Sequence, residues 1–115
     1  ISGSIICNEV LAESDARLKR NVVDMNSESC LHAVSQLQPK SYEFIVNPNQ
    51  QRFGVIAQDL EQVLPTLVNT TNGSKSVNYV EIIPFLIGSI QHLKQAVECL
   101  QNEVVMMQSQ LKYSR

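Results

Sequence analysis

From Ile83 onward, apolar residues recur at alternating spacings of three and four for four heptads, and no other feature restricts the fold as much. The series is Ile83, Leu86, Ile90, Leu93, Val97, Leu100, Val104, Met107 and Leu111. With Ile83 at heptad position a, the a column reads Ile, Ile, Val, Val, Leu and the d column Leu, Leu, Leu, Met. A pattern sustained this long predicts a coiled-coil helix over about residues 80–112 rather than a merely amphipathic one. Pro84 falls in its first turn, where a missing N–H is harmless. β-Branched residues at a with Leu at d favour two strands. The flanking e and g positions, however, include Ile82, Ile87, Ser89 and Ala96 with few charges. A stripe that wide needs more than one partner helix, so the expectation is a homotrimer. The alternative is a long helix packed against its own domain.

The rest of the chain is short. With 115 residues, 43% of them hydrophobic, it makes one small domain, which gains from burying surface between copies. A net charge of −2 gives no electrostatic reason to expect nucleic acid or a membrane surface as partner. Arg17, Lys19 and Arg20 form a local cluster, not a binding stripe. Cys7, Cys30 and Cys99 are odd in number and lie in no ligand spacing, which suits reduced thiols in a cytosolic setting better than a disulfide framework. His32 and His92 stand alone and are expected at surface or packing positions. No metal or cofactor is expected. No stretch approaches the apolar length of a membrane span. The chain opens on Ile1 rather than Met, as expected of a segment excised from a longer protein.

Along the chain, "ISGSIICNEVLAE" (1–13) is β-branched, contains Gly3 and has no helical period. It reads as one or two strands ending an upstream β-rich stem. Residues 14–24 begin with Ser-Asp, both good N-cap types, and continue through helix-tolerant residues. "NSESCLHAVSQLQP" predicts a clearer helix, capped by Asn26 or Ser27, with Leu31, Ala33, Val34 and Leu37 on one face and Pro39 as its stop. "SYEFIV" and "RFGVIA" read as a hairpin joined by an "NPNQQ" turn. "QDLEQVL" reads as a two-turn helix ended by Pro65, and "NTTNGSKS" as a polar loop with a turn at Asn72-Gly73. The fold class expected is α+β and mainly helical: a small hairpin, a long C-terminal helix in a trimeric bundle, and a short N-terminal β-segment.

"ESDARLK" is the candidate stretch for chemistry. Ser14 and Lys19 stand five apart, and two readings are open. One is a helix cap followed by solvated charges. The other is a nucleophile and its base, because a serine hydroxyl attacks a carbonyl only when something removes its proton. An ordinary lysine, with a pKa of about 10.4, is charged at neutral pH, and burial or neighbouring cations must lower it towards roughly 7 to 8. Arg17 and Arg20 flank Lys19 and would push that way, while Asp15 would oppose them. In a regular helix residues five apart diverge by about 140°. The two therefore meet only if Ser14 lies outside the helix and Lys19 folds back, a geometry that fits an N-cap.

"SDARLKRNV" resembles the opening motif of the intramolecular chaperone auto-processing domain, the self-cleaving C-terminal domain of phage endosialidase tailspikes. "PKSYEF", "RFGVIAQDLEQVLPTLV" and "VNYVEIIPFLIGSIQHLK" resemble its later blocks, in family order and across nearly the whole chain. Thr66 stands where the family usually has an acid, and the "NPNQQ" connection is short where some relatives carry long arms. The resemblance implies that Ser14 is the nucleophile and Lys19 the general base. Cleavage then falls between Glu13 and Ser14, and Asp15 and Arg17 serve orientation and charge. It also implies a domain, residues 14–115, that trimerises an upstream β-rich fibre or tailspike in the host-cell cytoplasm during virus assembly and then cuts itself free. The same domain occurs in membrane-bound transcription factors of myelin regulatory factor type, which is a second expectation. A structural coiled-coil module with an inert pair is a third.

Overall fold

A computed structural model describes residues 4–113. Ala16–Leu18 form a single 3₁₀ turn, and α1 spans Ser27–Ser35. Strands β1 (Lys40–Phe44) and β2 (Asn47–Gly54) form an antiparallel hairpin. Helix α2 (Ala57–Val63) runs into a 3₁₀ turn at Pro65–Leu67, and β3 (Val68–Thr71) pairs with β4 (Ser74–Val77) in a second hairpin. Helix α3 covers Ile82–Tyr113. The α+β class stands, with two small sheets where the sequence suggested one.

Asn26 caps α1 by accepting the Ser29 N–H at 2.9 Å. The helix ends at Ser35, ahead of Pro39, and its buried residue is Cys30, while Leu31, Ala33, Val34 and Leu37 are half-buried. Cys30 seats on Gly88 of α3, where a Cβ would lie 2.9 Å from the Cys30 Cβ. Near the α1 N-terminus, Ser27 Oγ lies 3.4 Å from His92 Nδ1. The small core is Leu60, Leu67 and Ile82, with Leu37, Val55, Leu64, Val68, Val77 and Phe85 packed around it. Tyr79 ties the first hairpin to the start of α3, because its hydroxyl accepts the Val55 N–H at 3.1 Å and lies against Gly54 with the Tyr42 hydroxyl.

Four local expectations change. The residues "NPNQQ" lie within β2, and the hairpin turns at Ile45-Val46. Between the Tyr42–Arg52 and Phe44–Asn47 pairs the register shifts, so that residues 48–51 face Glu43 alone. The turn-type residues thus build a bulge: Asn49 has φ 68°, its N–H bonds to the Glu43 carboxylate, and Pro48 needs no ladder partner there. "NTTNGSKS" is the second hairpin rather than a loop, since Asn72 (φ 52°) and Gly73 (φ 79°) form a two-residue turn with the positive dihedrals that strand twist favours. The helix expected from Ser14 to Asp24 shrinks to the one turn. Residues 4–13 form no strand, for a strand needs a partner and none lies beside them among the described residues. The Gly3 turn lies outside the described residues.

Helix α3 is long enough, at about 48 Å, to extend well beyond this body. Its first turns pack through Phe85, Gly88 and Ser89, positions c, f and g, and so through a face roughly opposite the a/d column. The a/d residues Ile83 to Leu111 stay between 42% and 72% exposed. Helix α3 therefore packs on its own domain with one face and leaves its apolar column open.

Candidate functional site

Ser14 and Lys19 are in contact. Lys19 Nζ donates to Ser14 Oγ at 2.6 Å, and both residues are exposed. The fold-back is local in origin. Asp15, not Ser14, is the N-cap of the 16–18 turn, with φ −70° and ψ 128°. Leu18 N–H bonds to the Asp15 carbonyl at 3.0 Å and Lys19 N–H to the Ala16 carbonyl at 3.2 Å. Ser14 thus precedes the turn and Lys19, already extended, follows it, so the divergence of a regular helix never develops. Asn21, at φ 56°, redirects the chain after Arg20, a left-handed conformation that Asn tolerates.

Asp15 and Arg17 form a fork. Asp15 Oδ1 accepts the Arg17 backbone N–H at 2.9 Å and Nε at 3.1 Å, and Oδ2 accepts Nη2 at 2.7 Å. The Arg17 side-chain bonds, followed by its backbone N–H, hold the Asp15 carboxyl below its ordinary 3.8, and the same pairing raises the Arg17 guanidinium. This alters the electrostatics expected of the site. Asp15 spends its charge on Arg17 rather than on Lys19, and Arg17 in turn is no free cation beside Lys19. Of the two flanking arginines, Arg20 is the one the fork leaves out. Glu13 is exposed, on irregular backbone before Ser14.

The remaining candidates lie elsewhere. His32 is exposed on α1, and His92 faces Ser27. Cys7 and Cys99 are exposed and Cys30 is buried at the α1–α3 crossing. Among the described residues no helix is long and apolar enough to cross a membrane. Sequence reasoning missed the fork, although an Asp with an Arg two residues on after a Ser was its visible signal. It also missed Cys30 with Gly88, whose signal was a helical glycine in an otherwise apolar run.

Residues 14–69 match the sequence profile of the peptidase family described as chaperone of endosialidase, beginning at the serine of the fold-back. The chain carries a domain of this family. It is similar to myelin gene regulatory factor-like A of Dictyostelium discoideum, 30% identical over 136 residues, an alignment covering 97% of this chain and 14% of that protein. It is also similar to uncharacterized protein VP1 of Micromonas pusilla reovirus (isolate Netherlands/2005), 33% identical over 73 residues, which cover 61% of this chain and 4% of that protein. The chain thus corresponds to a small part of each relative's length. A chaperone role in a self-cleaving peptidase family follows at the level of the domain.

Proposed function

We propose that the domain, residues 14–115, trimerises through α3, aligns three copies of the polypeptide that precedes it, and then cuts itself off between Glu13 and Ser14. The Lys19–Ser14 contact at 2.6 Å is the observation that carries this reading. Ser14 Oγ attacks the Glu13 carbonyl carbon while its proton passes to Lys19. The carbon–nitrogen bond breaks, and the proton moves from Lys19 to the departing Ser14 nitrogen. The Glu13 acyl group is left as an ester on Ser14 Oγ, and water hydrolyses it to a Glu13 carboxylate and a free Ser14 hydroxyl. In this role Lys19 must be neutral and accept from the hydroxyl, reversing the bond seen in the single chain. Burial favours a neutral amine, and both residues are exposed in one copy. Covering of the pair by neighbouring copies therefore couples cutting to assembly.

The open a/d column of α3 supports the clamp role. Pairing between chains in β-rich stems is slow and prone to slip, and a clamp raises the effective concentration of the other two chains. Residues 1–13 are then the end of the stem, and residues 4–13 gain strand partners only in the assembled state. We read the client as a β-rich viral fibre, with the reovirus protein as support for a viral setting. A second reading places the domain in a regulatory factor, and the Dictyostelium alignment, which spans nearly the whole chain, favours it. The upstream sequence separates the two: a β-rich fibre body against an immunoglobulin-like DNA-binding domain.

The test is the N-terminus and mass of the freshly folded full-length protein. A new fragment beginning at Ser14 is expected, absent in Ser14→Ala and in Lys19→Ala. Wild-type protein that stays intact under folding conditions overturns the cleavage reading.

A further inference from the structure

Lys19 reaches Ser14 because the intervening residues double back within one three-residue turn. Such a turn is weak by itself. Two backbone bonds hold it, none of its residues is buried, and an isolated nucleus of this kind is unfavourable. The Asp15 carboxylate supplies the missing restraint: it caps the Arg17 N–H and grips the Arg17 guanidinium through Nε and Nη2. Resting on the self-cleavage reading above, we infer that Asp15 is the positioning residue of the pair. By capping the 16–18 turn it sets the fold-back that places Lys19 Nζ on Ser14 Oγ, while its own carboxylate stays on Arg17 and off the reacting atoms.

The two jobs of the carboxylate separate by substitution. Asp15→Asn keeps an acceptor for the Arg17 N–H and gives up the ion pair, and Asn caps as well as Asp. Asp15→Ala removes both. In the full chain with its upstream segment, Asp15→Ala should slow appearance of the Ser14 fragment by about tenfold, with Asp15→Asn recovering most of the rate. A second readout does not need cleavage. In the uncleavable Ser14→Ala background, amide exchange at Leu18 and Lys19, whose N–H groups close the turn, should speed up in Asp15→Ala and stay slow in Asp15→Asn.

Asp15→Ala that cuts at the wild-type rate, or Asp15→Asn that is as slow as Asp15→Ala, overturns the inference. So does unchanged amide exchange in Asp15→Ala. Wild-type protein that never cuts overturns the cleavage reading instead, and the exchange measurement still decides whether Asp15 holds the turn.

Discussion

Asp15 and Arg17 lie at the surface, and their pairing sets how the turn before Lys19 responds to acid. The carboxyl titrates below its ordinary 3.8 because the Arg17 side chain, and then its backbone N–H, bond to the ionised form. A depressed folded value means that the contribution is fully present above 3.8 and fades as pH falls through the lower folded value. The ion pair should therefore be insensitive to pH near neutrality and break only as the pH falls below 3.8, while the protonated carboxyl keeps a carbonyl oxygen for the Arg17 N–H. A carbon NMR titration of the Asp15 carboxyl, followed with the Arg17 amide shift, checks this. In Arg17→Ala the midpoint should rise towards 3.8, and an unmoved midpoint would mean that Arg17 is not the cause. Gly88 poses the opposite problem, a residue chosen for its lack of volume. A Cβ there would meet Cys30 Sγ at 2.5 Å and its Cβ at 2.9 Å, so α1 must shift to admit it. Overpacking of about 1–3 kcal/mol outweighs the roughly 1 kcal/mol that Ala gains over Gly in a helix. Gly88→Ala should lower the denaturant midpoint, and adding Cys30→Ala should restore part of the loss, because the two sites touch.

At the level of elements, legibility followed the length of the pattern. Helices α1, α2 and α3 were readable because their apolar spacing, the Asn26 cap and the Pro65 stop agree with one another. The two hairpins were harder, because Gly, Pro and Asn signal a change of direction without saying whether it is a turn, a bulge or a loop. Asn49 marks a bulge and Asn72 a turn, and both carry positive φ. The turn itself fell on Ile45-Val46, which no propensity favours, since the bulge fixes the register from the other strand. At the site, Ser14 and Lys19 were legible as a motif, but the cap was placed one residue early. A side-chain cap depends on which carboxylate or hydroxyl reaches the free N–H, and that is decided by geometry that spacing does not carry. Gly73 provides a test at this scale. Gly73→Ala meets no neighbouring atom but is strained at φ 79°, so it should destabilise the second hairpin by about 1 kcal/mol. The loss should show in the amide exchange of β3 and β4 while that of β1 and β2 is unchanged.

For the whole molecule, the decisive quantity is the apolar surface that one copy leaves in water. Helix α3 spends its c, f and g positions on its own domain, and the a/d column from Ile83 to Leu111 stays open. Burying such a column in three copies contributes roughly 25 cal/mol for every Å² covered, whereas leaving it exposed invites non-specific association. Leu100 lies at a d position well beyond the α1 contact and is 60% exposed. Leu100→Asp should therefore leave the hairpins and α1 folded, since the side chain supports neither. It should disperse the proposed trimer, since each copy would have to bury an unpaired carboxylate in the seam. Asn102→Asp, at an f position facing outward, makes the same charge change and should leave the assembly intact. Sedimentation at matched concentration distinguishes the two. If the proposed cutting depends on assembly, Leu100→Asp should also lose the Ser14 fragment although Ser14 and Lys19 are untouched. Cleavage by dispersed Leu100→Asp monomers at the wild-type rate would show instead that the fold-back works unaided in one chain. Asp15 and its turn, rather than assembly, would then set when the bond is cut.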